Sequence, residues 1–251
     1  TNDSTAILGV TNLGDFAGIH GSGGSYGVFG SGNSYGVGAE GNIGVKGIGT
    51  STGVEGSGST GVQGAGSTYG VYSFSSSGVA LYARSSSGNP IEAYGSSTLD
   101  REFYVSNSGS VYADGTFNPG GADFAEMLPA VKHLEPGDVL VIGSDGKLTR
   151  STQAYASAVV GVYSTQPGFL GGAGEDADLT GKIPLAVLGM VPVKASTENG
   201  PIQPGDLLVA SATPGHVMRG DPNPPVGTVI GKALERLDEG TGIIQMLVML
   251  Q

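Results

Sequence analysis

Nine Gly-Val or Gly-Ile pairs recur through the first third of the chain at steps of 8 or 9 residues. They start at Gly9, Gly18, Gly27, Gly36, Gly44, Gly53, Gly61, Gly70 and Gly78. Most units read Gly-Val-x-Gly, as in Gly27-Val28-Phe29-Gly30, Gly44-Val45-Lys46-Gly47, Gly53-Val54-Glu55-Gly56 and Gly61-Val62-Gln63-Gly64. Such a unit offers a short strand with one β-branched inward residue and a freely varying outward one. Glycine supplies the tight turn and the close backbone approach. One valine in nine residues cannot build a thick core, so the segment must stack on itself or on copies of itself.

Composition removes several architectures. Collagen needs glycine at every third position, which is not the spacing here. A calcium-binding nonapeptide β-roll has the right period but needs regularly placed aspartates. Between residues 21 and 80 the only acids are Glu40 and Glu55. A metal-free solenoid of one chain and a trimeric β-fibre around a narrow axis both stay open. The fibre is the expectation, because valine and isoleucine are too sparse to fill a solenoid interior. Tyr26, Tyr35 and Tyr69 each precede a Gly-Val pair. They are expected to stack between layers; the alternative is an exposed aromatic ladder for sugars, which would suit an extracellular adhesin that binds a host cell-surface glycan.

A change of grammar follows. Before Pro119 the only proline is Pro90, and twelve of the 13 prolines lie from Pro119 onward. The turn-forming cluster Asn118-Pro119-Gly120-Gly121 places a boundary there, giving a repeat shaft over 1–118, with its period held to about 83, and a globular domain over 119–251. Within 90–117, Pro90-Ile91-Glu92-Ala93-Tyr94 and the alternating run from Glu102 to Phe117 predict broader strands, as does Val79-Ala80-Leu81-Tyr82-Ala83 just before them.

Beyond Ala122, short strands and turn signals alternate every 8–12 residues, the pattern of a β-sandwich or barrel. Predicted strands are 139–142, 158–163, 182–187, 191–194, 207–210 and 243–250. The last is apolar on both faces, which suits a central strand or a subunit interface. The domain also repeats itself. Leu134-Glu135-Pro136-Gly137-Asp138-Val139-Leu140-Val141 matches Ile202-Gln203-Pro204-Gly205-Asp206-Leu207-Leu208-Val209, and Val160-Gly161 or Ile230-Gly231 follows. Pro at i+1 and Gly at i+2 predict type II turns at Gly137 and Gly205, with Asp138 and Asp206 capping the turn backbone.

The alternating strands of 102–117 resemble the segment that ends the shaft of phage tail fibres. Ala122-Asp123-Phe124-Ala125-Glu126-Met127, Gly137-Asp138-Val139-Leu140, Lys147-Leu148-Thr149-Arg150 and Val160-Gly161-Val162-Tyr163 look like the start of the self-cleaving intramolecular chaperone domains of phage tail fibres and neck appendages. That resemblance implies a homotrimer, assistance to shaft folding and, in many members, release by cleavage at a Ser-Asp bond. Here Ala122 stands where the serine would be, so no hydroxyl is present for an acyl shift. Asp123 and Glu126 are the weak catalytic candidates, as a carboxylate pair; the expectation is that Asp123 caps a turn, that Glu126 is solvated or ion-paired, and that the domain stays attached.

Other chemistry finds little support. The formal net charge of −11 disfavours nucleic acid and anionic membranes. No apolar run approaches the roughly 20 residues of a membrane helix. Cysteine is absent. His20, His133 and His216 are scattered and expected at the surface or in turns. The acidic loop Gly174-Glu175-Asp176-Ala177-Asp178 is expected to be solvated. No metal or cofactor site is expected. The chain reads as an all-β structural protein, extracellular, on a virion or cell-surface appendage, whose partners are its own copies, other appendage subunits or a host glycan.

Overall fold

The computed structural model describes residues 43, 45–48, 50–174 and 176–249. They divide between two units, Thr1–Tyr82 and Ala83–Gln251. The described residues contain no helix, so none is long and apolar enough to cross a membrane. The fold is all-β.

In the first unit no strand forms among the described residues. The expected strand at 79–83 is irregular chain as well. The glycines nevertheless have a visible task. A Cβ on Gly47, Gly56 or Gly64 would run into the carbonyl oxygen of Gly53, Gly61 or Gly70 respectively. The closing glycine of one Gly-Val-x-Gly unit thus packs on the opening glycine of the next, a contact no larger residue permits. The valines gain nothing from this packing: Val45, Val54, Val62, Val71 and Val79 are 68–74% exposed.

The second unit begins with a three-stranded antiparallel sheet: β1 (Ile91–Tyr94), β2 (Arg101–Val105) and β3 (Val111–Ala113). A hairpin turn with Gly109 at φ 86 joins β2 to β3. Ten strands form the larger sheet: β4 (Asp123–Pro129), β5 (Val139–Ile142), β6 (Leu148–Arg150), β7 (Val159–Tyr163), β8 (Phe169–Gly171), β9 (Lys182–Ser196), β10 (Leu207–Ala210), β11 (Val217–Arg219), β12 (Val229–Ala233) and β13 (Thr241–Met249).

This larger sheet closes on itself twice. In one ring β4, β9, β7, β5 and β6 pair in turn, and a parallel bridge from Leu148 back to Ala130 closes it. In the other, β9, β13, β12, β10 and β11 pair in turn, and a parallel contact from Val217 to Ala195 closes it. The two five-stranded barrels have the same connectivity. They share β9, whose first half serves one barrel and second half the other. Closure removes the open edges that a flat sheet would leave.

The sequence duplication is the origin of this symmetry. In both copies the residue before Pro-Gly-Asp accepts from the aspartate amide and donates its own amide to the aspartate Oδ2. The bonds are Asp138 N to Glu135 O at 3.0 Å and Asp206 N to Gln203 O at 3.1 Å, with return bonds of 2.8 Å. Gly137 and Gly205 take φ of 84° and 92°, as a type II turn requires. Each following strand carries a β-bulge after its leucine, with Leu140 opposite Gly161 and Leu208 opposite Gly231.

One boundary differs from expectation. Residues 182–187 and 191–194 belong to one 15-residue strand. Gly189 lets the chain pass without breaking: its φ is 110°, and a Cβ there would strike the Ala122 carbonyl. The largest core cluster fills the second barrel with Leu208, Val217, Ile230 and Met246 and continues onto Val139, Val162 and Ala186. A smaller one gathers Leu140, Leu148 and Leu185 in the first. Fully burying such a side chain contributes about 1.5–3 kcal/mol.

Candidate functional site

The two Pro-Gly-Asp turns differ in what surrounds their carboxylates. Asp206 is partly exposed and caps its own turn. Asp138 is fully buried. Its Oδ2 accepts from Arg150 Nε at 2.8 Å, and its Oδ1 accepts from Lys194 Nζ at 2.8 Å. Lys194 also bonds Glu135, and Arg150 reaches the His133 carbonyl at 2.9 Å. Burial opposes ionisation of Asp138. The bonds from Lys194, the Glu135 amide and Arg150 together outweigh that cost and hold the carboxyl below its usual range. This cluster ties β6 and β9 to the turn before β5. Its geometry is structural: both carboxylate oxygens are occupied by chain partners.

Asp123 and Glu126 do not form a pair. Along β4 burial alternates, so Asp123 faces inward and Glu126 outward. Asp123 caps no turn. The residue is 3% exposed and its Oδ2 has no hydrogen-bond partner, as is also true of the buried Ser164 Oγ. Burial pushes the Asp123 carboxyl up. The peptides before and after it are each held: the Ala122 carbonyl accepts from Met190 N at 3.2 Å and the Asp123 carbonyl from Gly168 N at 2.8 Å. Ala122 itself offers no nucleophile.

Of the three repeat tyrosines, Tyr26 and Tyr35 lie outside the described residues, as does His20. Tyr69 is exposed, with its ring 5.8 Å from that of Tyr72 and tilted by 50°. His133 is exposed at φ 66°, and the His216 ring contacts the Pro214 carbonyl at 2.8 Å. In the acidic loop Asp178 caps the Thr180 amide at 2.9 Å. Among the described residues no three His, Asp or Glu side chains gather as metal ligands.

Sequence reasoning marked one of the surfaces that stand out most, through strand 243–250, and missed the other. The β1–β3 sheet is two-faced. On one face Glu92, Tyr104 and Tyr112 lie in register. The two tyrosines stack at 4.4 Å, and the Arg101 guanidinium sits 3.9 Å from the Tyr104 ring centre. Glu92 accepts from Tyr94 Oη at 2.6 Å and Arg101 at 3.2 Å. That face is polar and self-satisfied. On the other face Ile91, Val105 and Val111 align, followed by Ala93, Phe103 and Ala113. This apolar face is left open, with Ile91 39% and Val111 51% exposed. Such a sheet needs a buried face to be stable. A second open face lies on β4, β8, β9 and β13, where Phe124 stacks on Phe169 at 4.7 Å. The cue in the sequence was the two-sided apolarity of 243–250.

No family model matches the chain, and no curated protein matches it. Among solved structures it is similar to the pre-mature gene product 12 of bacteriophage phi29, at 16% identity and a TM-score of 0.45. The likeness covers 59% of this chain and 24% of that one, so the chain spans about a quarter of that protein's length.

Proposed function

We propose that this chain is a structural subunit of a homotrimeric fibre or appendage, on a phage tail or a bacterial surface, with residues 1–118 as shaft and 119–251 as the domain that aligns or caps three copies. One observation carries this reading. In the single chain every described repeat valine is exposed, and the β1–β3 sheet leaves its apolar face uncovered. Apolar residues repeating at fixed spacing along an axis are covered most simply by the same residues of parallel copies. Three chains supply three β-branched side chains per layer, enough to fill a narrow axis that one chain leaves empty. The chain has no enzymatic role in this reading, and Ala122 keeps the domain attached. Its place is extracellular, on a virion or cell surface.

A thin repeat has few features to fix its register, and a one-residue slip turns every side chain over. A globular domain that associates first sets the register before the slow, non-local contacts form. Removing residues 119–251 is therefore expected to leave the repeat segment aggregated, read by sedimentation and size-exclusion chromatography. A soluble, thermostable trimer of residues 1–118 would remove the aligning role.

A further inference from the structure

We infer that the outer face of β4, β8, β9 and β13 is where copies of the C-terminal domain meet, in a head-to-tail contact that pairs Glu126 of one copy with Lys232 of the next. This rests on the trimeric reading above and adds to it a specific surface.

Cross-strand register makes the face continuous. Phe169 pairs with Phe124, Phe124 with Leu188, and Leu188 with Met249. Two residues along β9, Met190 pairs with Leu247. Phe124, Phe169, Leu188, Met190 and Leu247 are 36–53% exposed. At about 150–250 Å2 for a large side chain, these five present roughly 450 Å2 of apolar surface. A standard interface takes about 800 Å2 from each partner, a little over half of it apolar; each copy in a ring makes two contacts, so this face divides its apolar surface between two neighbours. On the other side of β13 the strand is fully used, with Ile244, Met246 and Val248 in the core.

Charge selects the occupant. The chain carries a net charge of −11, so copies repel unless they meet on an uncharged patch or through a local ion pair. The row itself contains no charged residue. At its β4 end Glu126 is exposed, two residues beyond Phe124. At its far end Lys232 of β12 is exposed and in register with Leu247. Among the described residues neither forms an ion pair within the chain. A carboxylate at one end and an ammonium at the other suit a cyclic, heterologous contact, in which the two ends of neighbouring copies meet.

The chain has no cysteine, so a single introduced thiol reports one position. In the full chain, Leu188→Cys is expected to be alkylated about tenfold or more slowly than Val226→Cys, because reaction requires the interface to open. Val226 is 97% exposed and serves as the reference. Met190→Cys repeats the measurement in case the first thiol perturbs packing. Adding Glu126→Lys is expected to abolish the protection, and adding Lys232→Glu to that variant to restore it. If light scattering shows a trimer while both thiols react as fast as Val226→Cys, this face is not the contact, although the trimeric reading stands. Protection that charge reversal leaves unchanged overturns the Glu126–Lys232 pairing. A monomeric mass overturns the inference and the trimeric reading together.

Discussion

Replacing Asp138 with alanine is expected to cost about 3–5 kcal/mol, whereas the equivalent change at Asp206 costs about 1 kcal/mol. The two aspartates hold the same place in a duplicated turn, and both cap the amide three residues back. The shared cap is worth about 1 kcal/mol. The difference lies in the cations. Removing Asp138 takes the buried counter-charge from Arg150 and from Lys194, whose side chain is 19% exposed and which keeps only the exposed Glu135. Stranding a partner of a buried pair costs about 3–5 kcal/mol, more than the pair contributed. Asp138→Asn keeps an acceptor but balances neither cation, and falls between the two alanine variants. Urea unfolding followed by circular dichroism, at one protein concentration, measures all three. Equal losses at 138 and 206 would show that the ion cluster adds nothing. The sign of the pH dependence follows. The folded pKa of Asp138 lies below its unfolded value of about 3.9. Its contribution is therefore complete above that value and is lost as the pH falls through the folded pKa. Asp138→Ala should show the shallower loss of stability in acid.

Gly161→Ala and Gly231→Ala are each expected to destabilise the C-terminal domain by about 3 kcal/mol, a large share of the roughly 5–15 kcal/mol that holds a domain folded. Both glycines sit opposite the leucine of a β-bulge, one in each barrel. A Cβ on Gly161 would strike the Ala186 carbonyl oxygen, and one on Gly231 the Leu247 carbonyl oxygen. Both obstacles are backbone in a paired strand, and a ladder cannot shift to make room without losing hydrogen bonds. Gly161 adds an unfavourable φ of 144°. Gly109→Ala is the control: its φ is 86°, but nothing lies within 4 Å of a Cβ there, so it carries only the backbone term of about 1 kcal/mol. The same urea series checks this. A loss at Gly161 no larger than at Gly109 would mean that β7 and β9 approach less closely than described.

Much of this was legible in the chain. The Pro-Gly-Asp duplication announced paired turns, and positive φ at Gly137 and Gly205 follows from the proline before each glycine. The strands at 139–142 and 207–210 end where their apolar runs end. Closure into barrels was not legible, because the bridges from Leu148 to Ala130 and from Val217 to Ala195 join residues far apart in sequence. Nor could the sequence show that β9 runs unbroken. Gly189 reads as a strand end, and only its contact with Ala122 explains why a glycine sits inside a strand. The Asp138 cluster was hidden for a similar reason: Lys194 lies 56 residues away, on a strand from the other half of the duplication. Asp123 and Glu126, three residues apart, looked like a possible pair until strand alternation put them on opposite faces. The repeat was the clearest signal of all, yet among the described residues its valines stay exposed in the single chain, and a sequence does not show what would cover them.

Absolute mass in solution by light scattering, read beside a denaturing gel, tests the trimeric fibre most directly. The expected result is a particle of three times the 24.9 kDa chain mass with one intact band on the gel. A particle of a single chain mass would contradict the shared axial core and the aligning domain together, and two fragments meeting near Asp123 would contradict the uncleaved chain.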